Sequence, residues 1–488
     1  MKSATTVRSE NKKSAAGAII SLLLTALPVW IFYRAYMRFY TNATFYGRGN
    51  YLFTLMYATL LVLFLSVYSG YKVRQYRTRE LVFSFAIAIS ITNFLMYFVM
   101  CMIAREMLKV WGVLLASVAQ MAVGMGLYIV SRIVLPMVEP ALPMLYIRRD
   151  DAEDRLSGMF DSRRSRYKVS GEISSRINWE DMKTAIGPFN AVLIGDMEPE
   201  TRREIVSYCF RTGREALLLP DMSDVMLFSA APMVMGDSLV YDLKTQGMDR
   251  TYRTIKRLTD IAVSALGLVI LSPLMLGTAI AVKAQDGGPV FYRQERLTRG
   301  GKRFMLTKFR SMIVNAESAT GAVLAGKVDD RITKVGRFIR ATRIDELPQL
   351  WNILKGEMSL VGPRPERPEF YEIFCREYPE FEYRLKVKAG LTGYAQLYGK
   401  YNTTFAEKAR LDVYYIQHAS LLWDLQLMFY TLKIIFIRES TEGVDNSAAS
   451  ASEAVPEAET AAPEAEAAGT EAEADADGEE APDARAAE

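Results

Sequence analysis

Histidine is almost missing from this chain: 488 residues contain one, His418. Cysteine is scarce too, and Cys101, Cys209 and Cys375 lie far apart. Three such cysteines make no disulfide framework, and with one histidine they give no zinc-ligand spacing. Ser-His-Asp or Cys-His catalysis would have to run through His418, whose neighbours suggest neither. His418 therefore reads as structural. Also absent is a glycine fingerprint after a strand, the feature that lets backbone approach a pyrophosphate. Bulky apolar residues are nearly absent from the last 44 positions.

Elsewhere apolar residues abound. Half of all residues are hydrophobic, too many for a disordered chain, and the length suggests about three domains. Residues 445–488 hold fourteen acids and one Arg, so the net charge of +3 divides into −13 there and +16 on the rest. A basic, apolar body predicts anionic partners such as lipid headgroups, phosphates or nucleotides, and no nucleic acid. The tail, from Val444, should be disordered and without chemistry.

Four apolar runs come first: Ala15–Tyr33, Tyr51–Gly70, Leu81–Ala104 and Val110–Ser131. Each has about 19 residues or more with no ionised side chain, enough to cross a hydrocarbon core of about 30 Å. The first reads as a span rather than a cleaved signal, because no small-residue cleavage site follows it. Lys2, Arg8, Lys12 and Lys13 before the first run, and Lys72, Arg74, Arg77 and Arg79 after the second, predict cytoplasmic ends. Everything after Arg132 is then cytoplasmic. With no charge mid-span, the helices read as an anchor. Residues 140–245 read as a small parallel α/β unit, with strands at Ala191–Asp196 and Ala216–Pro220 around a helix over Glu198–Phe210. Met197-Glu198-Pro199-Glu200 stands where phosphate-binding glycines would be, so the module reads as structural or regulatory.

A fifth run, Ile261–Val282, is broken at Ser272-Pro273 and flanked by cations at both ends. Proline kinks a helix, so the expectation is a helix that enters the membrane, bends and leaves on the same side. A polar region follows. Phe291–Arg296 alternates like a strand; Lys308–Met312, Arg340–Leu350 and Met358–Pro365 come after it. Asp345-Glu346 is the expected chemical centre. With Pro348 in a helix's first turn, the acids would sit at its N-terminus, where an anion is favoured. An ionised Asp can attack phosphorus or hold Mg²⁺; an isolated Asp-Glu pair can also be a plain cap. Lys308, Arg310, Arg340, Arg343 and Arg364 crowd it in sequence and suit a pyrophosphate or lipid phosphate.

Together these residues make the stretch from about 250 to 440 resemble the bacterial sugar transferase family, the monotopic-type polyprenyl-phosphate phosphoglycosyl transferases. The resemblance rests on Lys308–Met312, Asp345–Leu350, Gly356–Ser359, Val361–Pro365 and Lys388–Gln396. With four spans in front, the whole chain looks like the large exopolysaccharide-initiating members. That likeness implies transfer of a sugar 1-phosphate from a UDP-sugar to undecaprenyl phosphate, with Mg²⁺ and release of UMP. It implies Asp345 as nucleophile, Glu346 as its partner in metal binding or proton handling, and Arg340 and Arg364 on phosphate. Lys308 and Arg310 would support them, and Thr392 and Gln396 would lie in a loop at the uridine or sugar. Ser272-Pro273 would keep the helix re-entrant. One departure is visible: Lys388-Ala389-Gly390 lacks the family's proline, which predicts a looser turn.

The expected fold is a membrane protein in five parts. These are a cytoplasmic N-terminus (1–14), a four-helix transmembrane bundle (15–135) and a degenerate Rossmann-like module (140–245). A mainly helical α/β catalytic module (250–443) follows, with a re-entrant helix at 258–283 and interfacial amphipathic helices. The disordered acidic tail (444–488) ends the chain. The bacterial inner membrane is the expected location, with the catalytic part on the cytoplasmic face. Two other readings stand beside it. A non-catalytic scaffold or sensor of a polysaccharide assembly complex would need no nucleophile. An inverting glycosyltransferase would need an Asp-x-Asp motif, but Asp150-Asp151 and Asp329-Asp330 are adjacent pairs. The sugar is open, and a homo-oligomer is compatible with the sequence.

Overall fold

A computed structural model describes residues 3–45, 47–76, 78–149, 166–243, 248–314, 331–399 and 403–435. The acidic tail and both adjacent Asp pairs lie wholly or partly outside these residues. Four long helices open the chain: α1 (Ser3–Phe39), α2 (Gly49–Val67), α3 (Thr78–Ala104) and α4 (Trp111–Val138). All are long and apolar enough to cross a membrane. They bury Leu24, Tyr57, Leu61, Phe85, Ile89 and Tyr128 among themselves and leave Leu22, Leu52, Phe94 and Val118 exposed. One polar cluster ties the four together. Tyr57 donates to Asn93 Oδ1 (3.0 Å), Asn93 to Ser117 and Gln120, and Gln120 to the Pro28 carbonyl (2.8 Å). Every amide there is matched, as an apolar surround demands.

The next segment forms strands β1 (Leu142–Arg148), β2 (Tyr167–Ser174), β3 (Ala191–Ile194) and β4 (Glu215–Leu218). They make one parallel sheet in the order β2-β1-β3-β4. Helix α5 (Trp179–Ile186) precedes β3, and α6 (Pro199–Thr212) connects β3 to β4. The expected strand–helix–strand is therefore present. Pro199 starts α6 and Gly213, at φ 66°, ends it. Helix α7 (Met222–Leu227), capped reciprocally by Asp221 and Asp224, buries Met222 and Val225 against Phe381, Ala409 and Val413 of the C-terminal part. The hairpin β5 (Ala231–Met235) and β6 (Ser238–Asp242) follows.

Helix α8 (Arg250–Asp286) begins the C-terminal part as one unbroken helix with Pro273 inside. Ser272 Oγ donates to the Val269 carbonyl at 2.7 Å. The hairpin β7 (Phe291–Leu297) and β8 (Arg303–Phe309) follows. Then come α9 (Lys334–Ala341), α10 (Gln349–Lys355), β9 (Ser359–Val361), α11 (Pro368–Glu377), β10 (Gly390–Thr392), α12 (Tyr394–Tyr398), α13 (Phe405–His418) and α14 (Leu421–Ile435). β9 and β10 pair in parallel.

Both halves of α8 pack on this same body. Val263, Leu268 and Leu271 join the core around Leu350 and Ile353; Met275, Ala279 and Val282 meet Phe309 and Ile339. Near its start, Arg257 donates to the carbonyls of Ile353 (2.6 Å) and Leu354 (2.8 Å), and Asp260 accepts from Leu360 N (3.0 Å). At its end, Asp286 holds Arg310. The remaining face, with Leu266, Val269, Ile270, Leu276 and Ile280, is exposed.

A buried ion pair joins α8 to α14. Lys256 Nζ lies 2.5 Å from Asp424 Oδ2, and Tyr252 and Tyr415 donate to the same carboxylate at 2.5 and 2.6 Å. Asp424→Ala would strand the Lys256 charge, and a loss of about 3–5 kcal/mol is expected. Denaturation in detergent checks this; a variant as stable as the parent would refute it.

Candidate active site

The site is assembled by a backbone reversal. Arg343 sits in the left-handed region at φ 58°, costly for a side chain with a Cβ. It turns the chain from α9 into a 3-10 turn, Ile344–Glu346, that carries both acids. The expected helix N-terminus is corrected here: α10 starts at Gln349 with Pro348 as its cap, so the acids precede it. Side-chain cations supply the positive field.

Glu346 is the hub. Its Oε1 accepts from Lys308 Nζ (3.2 Å) and Arg364 Nη2 (3.3 Å), and its Oε2 lies 3.7 Å from Arg343 Nη1. Burial pushes its pKa up, but Lys308, Arg364 and Arg343 outweigh this and hold the carboxyl well below its usual range. Asp345 is 8% exposed and moves the other way. Burial, then the charge on Glu346, push it up to about 6 against the pull of Lys308, Arg340 and Arg343. Burial also lowers Lys308, with Glu346 opposing. Two adjacent carboxyls thus differ in role: Glu346 stays charged and Asp345 titrates near neutrality.

Arg364 reaches this hub from the loop after β9. Gly362, Gly390 and Gly393 let that loop run against β10: a Cβ on Gly390 would stand 2.1 Å from Gly362 N, and one on Gly393 2.2 Å from the Gly362 carbonyl. Gly390→Ala should force β9 from β10 and displace Arg364, at about 1–3 kcal/mol in stability. Parental stability and parental turnover in this variant would contradict the close approach. The turn before it is not loose, contrary to expectation. Ala389 is buried; its N–H donates to Thr298 Oγ1 (3.2 Å), a bond proline could not make, and its carbonyl accepts from Ser359 N (2.8 Å).

Of the expected residues, the structure brings together Asp345, Glu346, Lys308, Arg340 and Arg364. The Arg340 guanidinium acts on Asp345 through its charge, pulling against the upward push of burial. Arg310 does not join them. Its guanidinium bonds Asp286 and the Pro289 carbonyl (2.7 Å), fastening the end of α8 to β8. Thr392 is buried and bonds Thr431 (2.7 Å), and the Gln396 amide nitrogen is buried without a partner among the described residues. The expected break at Ser272-Pro273 does not end the helix: both residues lie within α8, which runs through them from Arg250 to Asp286. His418 is structural: Nδ1 meets the Tyr414 carbonyl at 2.9 Å and the ring packs on Tyr414. Among the described residues no group of three or more His, Cys, Asp or Glu could hold a metal, so Asp345 and Glu346 are the carboxylates at hand. That sparse set still suits Mg²⁺, which usually combines one or two carboxylates with phosphate oxygens and water.

A sequence model described as Bacterial sugar transferase matches residues 251–438. A Bacillus subtilis protein, provisionally named undecaprenyl-phosphate N-acetylgalactosaminyl 1-phosphate transferase, is 52% identical over 134 residues, 28% of this chain and 74% of that one. The chain belongs to the bacterial sugar transferase family. Two larger relatives match less of their own length. The UDP-N-acetylgalactosamine-undecaprenyl-phosphate N-acetylgalactosaminephosphotransferase of Aeromonas hydrophila is 44% identical over 188 residues, 38% of this chain and 44% of the relative. The UDP-glucose:undecaprenyl-phosphate glucose-1-phosphate transferase of Klebsiella pneumoniae is 35% identical over 295 residues, 59% of this chain and 62% of the relative. The chain thus spans about half the length of these two curated relatives. Arg343 is among the cations expected near the acids; Arg296 is not, though it too stands close to the motifs in sequence. What reveals their work is the left-handed φ of one and the carbonyl partner of the other.

Proposed function

We propose that this family member transfers a sugar 1-phosphate from a UDP-sugar to undecaprenyl phosphate and releases UMP. The observation that carries it is the paired acids: a buried Asp345 beside a Glu346 whose carboxylate faces Lys308, Arg343 and Arg364. A carboxylate of raised pKa is a better nucleophile than an ordinary one, and at pH 7 most of it is ionised. In this reading an Asp345 oxygen attacks the sugar-bearing phosphorus. The bond from that phosphorus to the bridging oxygen breaks, and UMP leaves with the electron pair. An oxygen of undecaprenyl phosphate then attacks the same phosphorus and displaces the Asp345 carboxylate, so one site serves both substrates in turn. Arg340, Arg364 and Lys308 hold and neutralise the phosphates. Asp345 and Glu346 would hold Mg²⁺ together with phosphate oxygens, and the bound ion would add neutralisation of the diphosphate.

The lipid substrate places this reaction at a membrane surface. Five helices have the length and apolarity to enter a bilayer. A straight α8 of 37 residues would be about 55 Å long. A full crossing would carry its ends to opposite faces, yet both ends hold the same body, which favours a re-entrant path. The loop Lys and Arg bias favours a cytoplasmic catalytic part on the bacterial inner membrane. The role proposed is the first membrane step of exopolysaccharide, capsule or O-antigen-type glycan assembly.

The test is nucleotide release by the purified protein in detergent with undecaprenyl phosphate, Mg²⁺ and a panel of UDP-sugars. UMP from one donor is expected. UDP would mean glycosyl transfer, and neither nucleotide from folded protein would overturn the reading.

A further inference from the structure

Arg364 lies between two prolines, Pro363 and Pro365. Proline fixes φ but removes the N–H that would anchor a neighbouring strand. The carbonyls of this loop are what remain to hold it, and four in succession are taken. Pro363 O accepts from Gly390 N (2.8 Å), Arg364 O from Arg384 Nη2 (3.2 Å), Pro365 O from Arg296 Nη1 (3.0 Å) and Glu366 O from Leu297 N (3.1 Å). Behind the loop lies a small cavity lined by Leu297, Pro363, Arg364, Arg384, Val387 and Ala389. Pro363 and Pro365 are buried, and these four hydrogen bonds fix the loop's place against that packing.

Arg384 is the best-held of these donors. Its side chain is 5% exposed. Nε donates to Asp412 Oδ2 at 2.7 Å, Nη1 lies 3.7 Å from Glu366, and the guanidinium sits 4.4 Å from the Phe381 ring. Asp412 is 1% exposed. A buried ion pair is weak evidence for stability, since an apolar pair often serves as well. A fork that must touch α13 with one edge and a loop carbonyl with the other does need Arg; Lys is a point donor.

We propose that Arg384, oriented by Asp412, is a positioning residue that sets the aim of Arg364, and that Arg296 does the same from the next carbonyl. The proposal rests on the phosphosugar transfer reading. Arg384 touches no substrate in it. It fixes the backbone from which Arg364 reaches Glu346 and the phosphates, where a displacement of about 1 Å can cost about a hundredfold.

The experiment is a double-mutant cycle on kcat/KM for UMP release, using Arg384→Lys, Arg364→Lys and the pair. Arg384→Lys alone should lose about ten- to a hundredfold. On an Arg364→Lys background it should lose less than about threefold, because the aim it sets no longer matters. Losses that multiply would overturn the proposal, as would parental kinetics in Arg384→Lys. A thermal melt reports folding; should Arg384→Lys fail to fold, Arg296→Lys enters the same cycle with the same two outcomes. A wild type without UMP release removes the reaction and this role with it, whereas multiplying losses in an active protein remove only the role.

Discussion

Asp345→Asn should lose UMP release by about 10⁴-fold or more, the scale seen when a covalent nucleophile is removed. Asparagine keeps the shape and volume of the side chain but has no carboxylate to form an acyl phosphate. The same substitution should leave the fold as stable or make it more so. The folded protein holds Asp345 at about 6, above the ordinary value of 3.8. A group raised in this way stabilises the fold fully only below its unfolded pKa, and that contribution is lost as pH rises through about 6. At pH 7 the parent therefore carries an ionised Asp345 that the fold disfavours, on the order of 2–3 kcal/mol. Asparagine removes it. Loss of turnover with an equal or higher melting temperature is the combined result to look for. Turnover near that of the parent would take Asp345 out of the role.

Glu346→Gln should act in the opposite sense on stability. Its carboxylate is shared by Lys308, Arg343 and Arg364. A neutral amide leaves three cations facing one another, and breaking a buried pair of this kind costs about 3–5 kcal/mol. Arg364 is 43% exposed on its side chain, so solvent screens part of this and the lower end is expected. The sign with pH follows from the depressed pKa. The contribution of Glu346 is present above its unfolded pKa and is lost as pH falls through the lower folded one. Parent and variant should therefore differ at pH 7 and converge in acid. Asp345 should titrate lower in the variant, because a negative neighbour is gone. Turnover should fall by about 10²–10³, since Lys308 and Arg364 lose the group that aims them. Melting curves for the two proteins at pH 7 and at the lowest pH at which both stay folded check the stability arm, the gap closing only well below the ordinary glutamate range. Coincident curves at pH 7 would deny Glu346 its hub role.

Much of this site was readable beforehand because the chemistry lives in residue types that are rare together. An Asp-Glu pair with Lys308, Arg340 and Arg364 around it in sequence is what a phosphate site needs. The same reasoning put Arg310 beside Lys308, two positions away. It failed there because Arg310 lies where β8 ends and its guanidinium turns to Asp286 at the end of α8, a partner 24 positions earlier. It also read Ala389 as a softened turn, because proline is a local constraint while the Thr298 hydroxyl that replaces it is 91 positions distant. Arg384 carried no signal beyond its charge: its partners, Asp412 and the Arg364 carbonyl, come from two other segments.

The sequence by itself determined the helices able to enter a membrane, the parallel order of strand, helix and strand in the middle, and the carboxylates and cations available for phosphate chemistry. Those follow from apolar run length, from turn residues and from side-chain functional groups, all local quantities. The tertiary structure alone decided which cation answers which acid. Burial and charge act through space, so the protonation of Asp345 against Glu346 was settled only when β8, the turn after α9 and the loop after β9 met.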